Sequence, residues 1–173
     1  MPNGGVITAF LFQDFSFLND NGQIVPSQNG PFSLPNNATA ELAVGAQQFS
    51  IVVDDDDPEF DDGFQDDPNP GALNQLLVGD ETVTAADGTT TALTEGAVLE
   101  VEFTLTATPQ GGGPSIDFLF VAVGPGENAG DLQLVVATGP VTPGVVYDIE
   151  FKNDGGGTPY ADIPCFGRGT LID

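Results

Sequence analysis

Apolar and polar residues alternate with a period of two along much of this chain. From 97 to 106, Ala97, Leu99, Val101, Phe103 and Leu105 interleave with Val98, Glu100, Glu102, Thr104 and Thr106, which predicts a strand with one face on a core and the other in water. The stretch 145–151 repeats the pattern, with Val145, Tyr147, Ile149 and Phe151 inward and Val146, Asp148, Glu150 and Lys152 outward. Residues 116–123 are apolar on both faces after Asp117, as in the central strand of a sandwich. Residues 131–138 follow across a glycine-rich loop, 124–130, and are expected to pair with 116–123 as a hairpin.

Further strands are expected at 6–12, 41–44, 48–53 and 76–84. Asn19-Asp20-Asn21-Gly22 and Ala86-Asp87-Gly88-Thr89 carry Asn/Asp-Gly turn chemistry. No twelve-residue segment shows a helical period with good helix formers. About eight strands with regularly spaced turns predict an all-β chain, a β-sandwich of jelly-roll-like or immunoglobulin-like type. Strand order is not legible at this level. The Gly-rich stretch 153–159 reads as flexible, so the expected organisation is an acidic sandwich over 1–152, a Gly/Pro linker over 153–162 and a short separate tail over 163–173.

Charge changes the picture next. The 173 residues include 26 Asp and Glu against 2 Lys and Arg and no His, a net charge of -24. No base precedes Lys152, which argues against nucleic-acid binding through phosphates and against attachment to an anionic membrane. Charged residues are only 16% of the chain, below the usual ~25%, so bases have been removed more than acids added. That bias suits a secreted or cell-surface protein working with divalent cations, or a protein of a saline organism. Thirteen Phe and 40% apolar residues suffice for a core, and a single cysteine excludes an intramolecular disulfide framework. The first residues show no classical signal peptide, and no stretch reaches transmembrane length.

The acids are concentrated. From Asp54 to Asp67 nine of fourteen positions are carboxylates. Held together on a scaffold, neighbouring charges repel by roughly 1 kcal/mol per pair even when solvated, and a hard cation removes that cost. Calcium takes six to eight oxygens, and Pro58, Gly63 and Pro68 provide turns that aim carbonyls inward. The expected ligands are Asp54, Asp56, Glu59, Asp61 and Asp62, and the expected cofactor is Ca2+. The spacing matches neither an EF-hand nor a glycine-rich nonapeptide array, so a solvated acidic loop stays open as the alternative. Phe60 and Phe64 inside the run favour order.

No Ser-His-Asp triad, Cys/His zinc site or phosphate loop can be assembled from these residue types. Only the tail carries candidate chemistry. It reads Ile163-Pro164-Cys165-Phe166-Gly167-Arg168-Gly169-Thr170-Leu171-Ile172-Asp173. The cysteine, the following Phe, the Gly-Thr pair and the apolar Leu-Ile resemble the opening of a Hint domain, the self-processing module of hedgehog proteins, inteins and many bacterial precursors. The resemblance covers 164–172 and no more. It implies that Cys165 is an internal nucleophile and that Pro164 supplies the scissile carbonyl. It also implies a Thr-x-x-His-like block and a late His-Asn-like pair, which would have to lie beyond Asp173. On that reading the chain is the N-terminal passenger of a secreted bacterial precursor and is inactive without the rest of the module, its partner in the same chain. Two rivals remain: a calcium-dependent adhesin or carbohydrate-binding sandwich at a cell surface with no self-processing, and an acidic structural surface protein of a saline organism.

Overall fold

A computed structural model of the chain describes residues 5–24, 37–55, 59–61, 75–125, 131–153 and 157–164. Fourteen strands are present among them: β1 Val6–Leu11, β2 Phe15–Asn19, β3 Gly22–Gln23, β4 Thr39–Leu42, β5 Phe49–Asp54, β6 Glu59–Phe60, β7 Leu76–Val78, β8 Glu81–Thr84, β9 Thr90–Leu93, β10 Val98–Pro109, β11 Ile116–Gly124, β12 Asp131–Ala137, β13 Val146–Asn153 and β14 Thr158–Pro159. The remaining elements are two 3-10 turns, Phe12–Asp14 and Tyr160–Asp162. The protein is all-β and sandwich-like. No helix among the described residues is long and apolar enough to cross a membrane.

Ten strands form one antiparallel sheet in the order β11-β12-β1-β5-β7-β10-β13-β4-β2-β3, and β10 also pairs with β11. The second pairing closes a hydrogen-bonded ring, β10-β11-β12-β1-β5-β7, completed where Val98 meets Leu76. Strands β13, β4 and β2 continue from the other half of β10, and the turn Phe12–Asp14 leads from β1 into β2. The strands β10, β11, β12 and β1 therefore have a core on each side. The expected hairpin of β11 and β12 is present, with Leu119 opposite Val136 and Val121 opposite Leu134.

One core is rich in phenylalanine and joins Phe10, Phe15, Phe17, Phe103, Phe118 and Phe120 to Leu42, Tyr147 and Ile149. Phe120 is its hub: it stacks on Phe103 at 4.6 Å between centroids and meets Phe17 at 5.7 Å and Phe12 at 6.0 Å. The other core lies inside the ring and is aliphatic, with Ile7, Leu11, Ile51, Leu77, Leu99, Val101, Leu119 and Leu134. The hairpin of β8 and β9 contributes Val83 and Leu93 to it. The turn of that hairpin is the Asp-Gly signal read in the sequence. Gly88 adopts φ 88°, and Asp87 accepts from the Thr89 amide at 2.9 Å and its hydroxyl at 2.6 Å.

Three expectations are corrected. The strand over 97–106 does not have one wet face, because Val98, Glu100 and Thr104 are buried as well. A bulge between Val101 and Phe103 inserts Glu102 and reverses the parity: Leu99 and Val101 face the aliphatic core, Phe103 and Leu105 the phenylalanine core. Phe151, expected inward on β13, is 41% exposed. It keeps the parity of Tyr147 and Ile149 and pairs with Leu105, but it is the last residue before the register shifts at Thr104 and Leu105, with Lys152 as the extra residue, and it lies at the rim of the core. The stretch 76–84 is two strands, broken where Gly79 takes φ 84°.

Candidate functional site

The acidic run and the route to the tail meet in one place. β5 alternates inward at Ile51 and Val53, and the same parity carries the next odd position, Asp55, inside, where it is 2% exposed. After residues 56–58, which lie outside the described set, Glu59 and Phe60 form β6. Phe60 is fully buried in the aliphatic core. β6 pairs antiparallel with β14, Phe60 opposite Thr158 and Glu59 opposite Pro159. Gly157 lies against the Glu59 side chain so closely that a Cβ there would collide with its carboxylate.

From β14 the chain enters the turn Tyr160–Asp162. The Tyr160 ring packs on Phe60 at 5.7 Å, and its hydroxyl donates to Asp55 Oδ2 at 2.6 Å. A phenol bonded to a carboxylate is a charge-assisted hydrogen bond, among the stronger kinds. The Ile163 amide donates to the Tyr160 carbonyl at 3.1 Å, and the Ile163 side chain is 4% exposed in the aliphatic core. Pro164 follows, half-buried. Of the segment 153–162 expected as a linker, 154–156 lie outside the described residues, whereas 157–162 are bound to β6 and to Asp55.

Beside this junction, Gln75 repairs the edge of β10. Its carboxamide accepts from the Asp61 amide at 2.7 Å and donates to the carbonyls of Asp61 at 2.6 Å and Leu99 at 2.8 Å. The Val101 amide donates to the Asp61 carbonyl at 3.1 Å, and the Leu99 amide to the Gln75 carbonyl at 2.9 Å. A side-chain amide here does the work of a peptide unit and covers the gap between β7 and β13 along β10.

The expected site residues are distributed as follows. Asp54 and Glu59 are exposed on β5 and β6, and Asp61 is buried beside Gln75. Asp56, Asp62 and Cys165 lie outside the described residues. No group of three or more Asp, Glu, Cys or His side chains placed to hold a metal occurs among the described residues, so Asp54, Glu59 and Asp61 do not assemble into a cage by themselves.

Sequence reasoning missed Asp55, Gln75 and Tyr160. Strand parity from Ile51 and Val53 was the signal available for Asp55. Tyr160 is one of only two tyrosines, and the other, Tyr147, also uses its hydroxyl, accepting from the Thr142 amide at 3.0 Å. Gln75 carried no signal.

Elsewhere, Asp14 is buried with Oδ1 accepting from the Ala86 amide at 2.9 Å, while its Oδ2 has no hydrogen-bond partner among the described residues. The exposed Lys152 ammonium pairs with Asp117. An open cavity of about 500 Å³ lies between the β8–β9 hairpin and the ends of β10 and β11, lined by Thr94, Glu95, Ala97, Val123, Pro125 and Gln133 among others. The Thr89 hydroxyl and amide hold the Asp87 carboxyl below its ordinary value.

Fold and site together define an all-β, sandwich-like domain whose final described segment is fastened beside its acidic run. No protein-family model, curated protein or solved structure matches this chain.

Proposed function

We propose that this domain is the N-terminal passenger of a secreted bacterial precursor whose Hint-type module begins at Cys165. The observation that carries the reading is positional: Ile163, seated in the aliphatic core, lies two residues before the cysteine that opens the Hint-like pattern. A passenger domain so joined is a finished structural unit up to the bond that is cut. The chain holds no histidine, so the imidazole that the Hint-like chemistry calls for would come from the rest of the module.

The chemistry is an acyl shift. The Cys165 sulfur, as thiolate, attacks the Pro164 carbonyl carbon, the bond from that carbon to the Cys165 nitrogen breaks, and the nitrogen takes up a proton, leaving a thioester. Water then hydrolyses the thioester, giving a Pro164 carboxylate and restoring the thiol. The base and the proton donor would come from residues beyond Asp173.

Calcium is the proposed companion ion. The support is electrostatic: nine carboxylates crowd Asp54–Asp67 in a chain with almost no bases. Asp54 and Glu59 on β5 and β6 would be two of its ligands, with Asp56, Asp61 and Asp62 completing the set. Calcium at millimolar concentration is expected to raise the melting temperature more than sodium chloride of equal ionic strength. An equal rise from both salts assigns the effect to screening alone.

The deciding experiment extends the chain past Asp173 through the predicted module and compares intact masses of wild type and Cys165→Ala. The expected result is a fragment ending at Pro164 from the wild type alone, with faster release when hydroxylamine is added. Full-length mass in both, from a folded extension containing the Thr-x-x-His-like block, overturns the reading.

A further inference from the structure

We infer that Tyr160 is a positioning residue for the Pro164–Cys165 junction, acting through its hydrogen bond to Asp55; this rests on the self-processing reading of that junction. Four restraints converge on the seven residues that precede Pro164. β14 is paired to β6. The Tyr160 ring lies on Phe60. Its hydroxyl is bonded to a carboxylate that is itself 2% exposed. Ile163 is seated in the core and its amide is bonded back to the Tyr160 carbonyl.

Each restraint alone is small, because a two-residue ribbon with a proline in it makes few ladder bonds. The Tyr160 bond ties the turn to the end of β5, a strand held by both β1 and β7. Through it the segment is fastened to the main sheet as well as to the ribbon.

Such a mount has a kinetic meaning. An internal acyl shift depends on holding the reacting carbonyl in a narrow range of orientations, and freedom in the preceding residues dilutes the productive geometry. A folded passenger that fixes Tyr160 and Ile163 limits the motion of the Pro164 carbonyl to the rotations of one or two residues. An unfolded passenger does not. The junction is thereby coupled to the folding of the domain that it releases, and the bond is cut at full speed only when the cargo is native.

Hydrogen exchange on the 173-residue chain tests the mount without any cleavage. In Tyr160→Phe the amides of 160–163 are expected to exchange about tenfold faster, as loss of one strong hydrogen bond implies, while β11 and β12 amides keep their protection. Equal exchange at 160–163, or a uniform loss across β11 and β12, overturns the local mount. Cleavage rates of the extended chain test its role in the reaction. Tyr160→Phe is expected to slow thioester formation about fivefold or more. Asp55→Asn, which keeps a neutral acceptor, should fall between wild type and Asp55→Ala while the β11 and β12 amides keep their protection in both variants, which separates the effect from general destabilisation. Equal rates in wild type and Tyr160→Phe overturn the positioning role. No cleavage of the wild type overturns the self-processing reading and the positioning role with it, while the exchange result still decides whether the mount exists.

Discussion

Gln75 and Asp61 are joined by two reciprocal hydrogen bonds: the Asp61 amide donates to the Gln75 carboxamide oxygen at 2.7 Å, and the Gln75 carboxamide nitrogen donates to the Asp61 carbonyl at 2.6 Å. Gln75 is 1% exposed, so bulk solvent does not reach the groups it satisfies. Gln75→Ala is expected to cost about 3 kcal/mol or more, since it strands a donor and leaves two carbonyls short of a partner in a dry place. Urea unfolding measures this. A cost below about 1 kcal/mol means that the edge of β10 is wet.

Truncation in the phenylalanine core separates the hub from the periphery. Phe120→Ala removes a ring in contact with Phe103, Phe17 and Phe12, and should cost about 3–5 kcal/mol. Phe151→Ala, at a ring left 41% exposed, should change stability by less than about 1 kcal/mol. Similar costs for the two, from paired denaturation curves, contradict the burial assigned to them.

Gly139 lies under the Ile116 side chain so closely that a Cβ there collides with Ile116 Cγ2. Gly139→Ala is expected to destabilise by about 1–3 kcal/mol through overpacking. Combined with Ile116→Ala, which removes that methyl, the alanine should cost less than it does alone. Strict additivity in the double-mutant cycle would show that the two sites are not in contact.

Asp87 titrates below the ordinary aspartate range because the folded turn donates two hydrogen bonds to its charged form. The sign follows from linkage. A carboxyl depressed in the folded state contributes stability that is fully present above its unfolded pKa and is lost as pH falls through the folded value. Thr89→Ala should move the Asp87 midpoint upward in a carboxyl NMR titration and narrow the acid window. An unmoved midpoint removes the hydroxyl as the cause.

Much of the strand map was legible because it rests on local alternation. β10 and β13 fall where the period-two pattern put them, β11 where the run apolar on both faces put it, β12 across the glycine-rich loop from it, and both Asx-Gly turns are present at Asn19–Gly22 and Ala86–Thr89. Pattern alone could not show that Glu102 is a bulge. Residues 99, 101, 103 and 105 look like one face whether or not an extra residue intervenes, and only pairing with β11 reveals that they serve two cores. The ribbon of β6 and β14 was illegible for another reason: two strands of two residues each carry no period, and their partners lie about a hundred positions apart. The acidic run and the Pro164 junction could both be picked out singly. Their meeting through Asp55 and Tyr160 depends on tertiary contacts that no window along the chain contains.

The doubly covered central sheet also bears on how the chain fares when it opens. Residues 118–123, Phe-Leu-Phe-Val-Ala-Val, are uncharged, rich in strand formers and free of Pro and Gly, the makings of a steric zipper. In the folded protein β11 is flanked by β10 and β12 and sealed above and below, so neither edge nor face is offered to another molecule. Once exposed, that hexapeptide is restrained from self-association chiefly by the repulsion of chains each bearing a net charge of -24. Acid or multivalent cations, by quenching that charge, are expected to promote irreversible association of the unfolded chain. The same anionic excess that shapes the surface thus keeps unfolded copies of the chain apart.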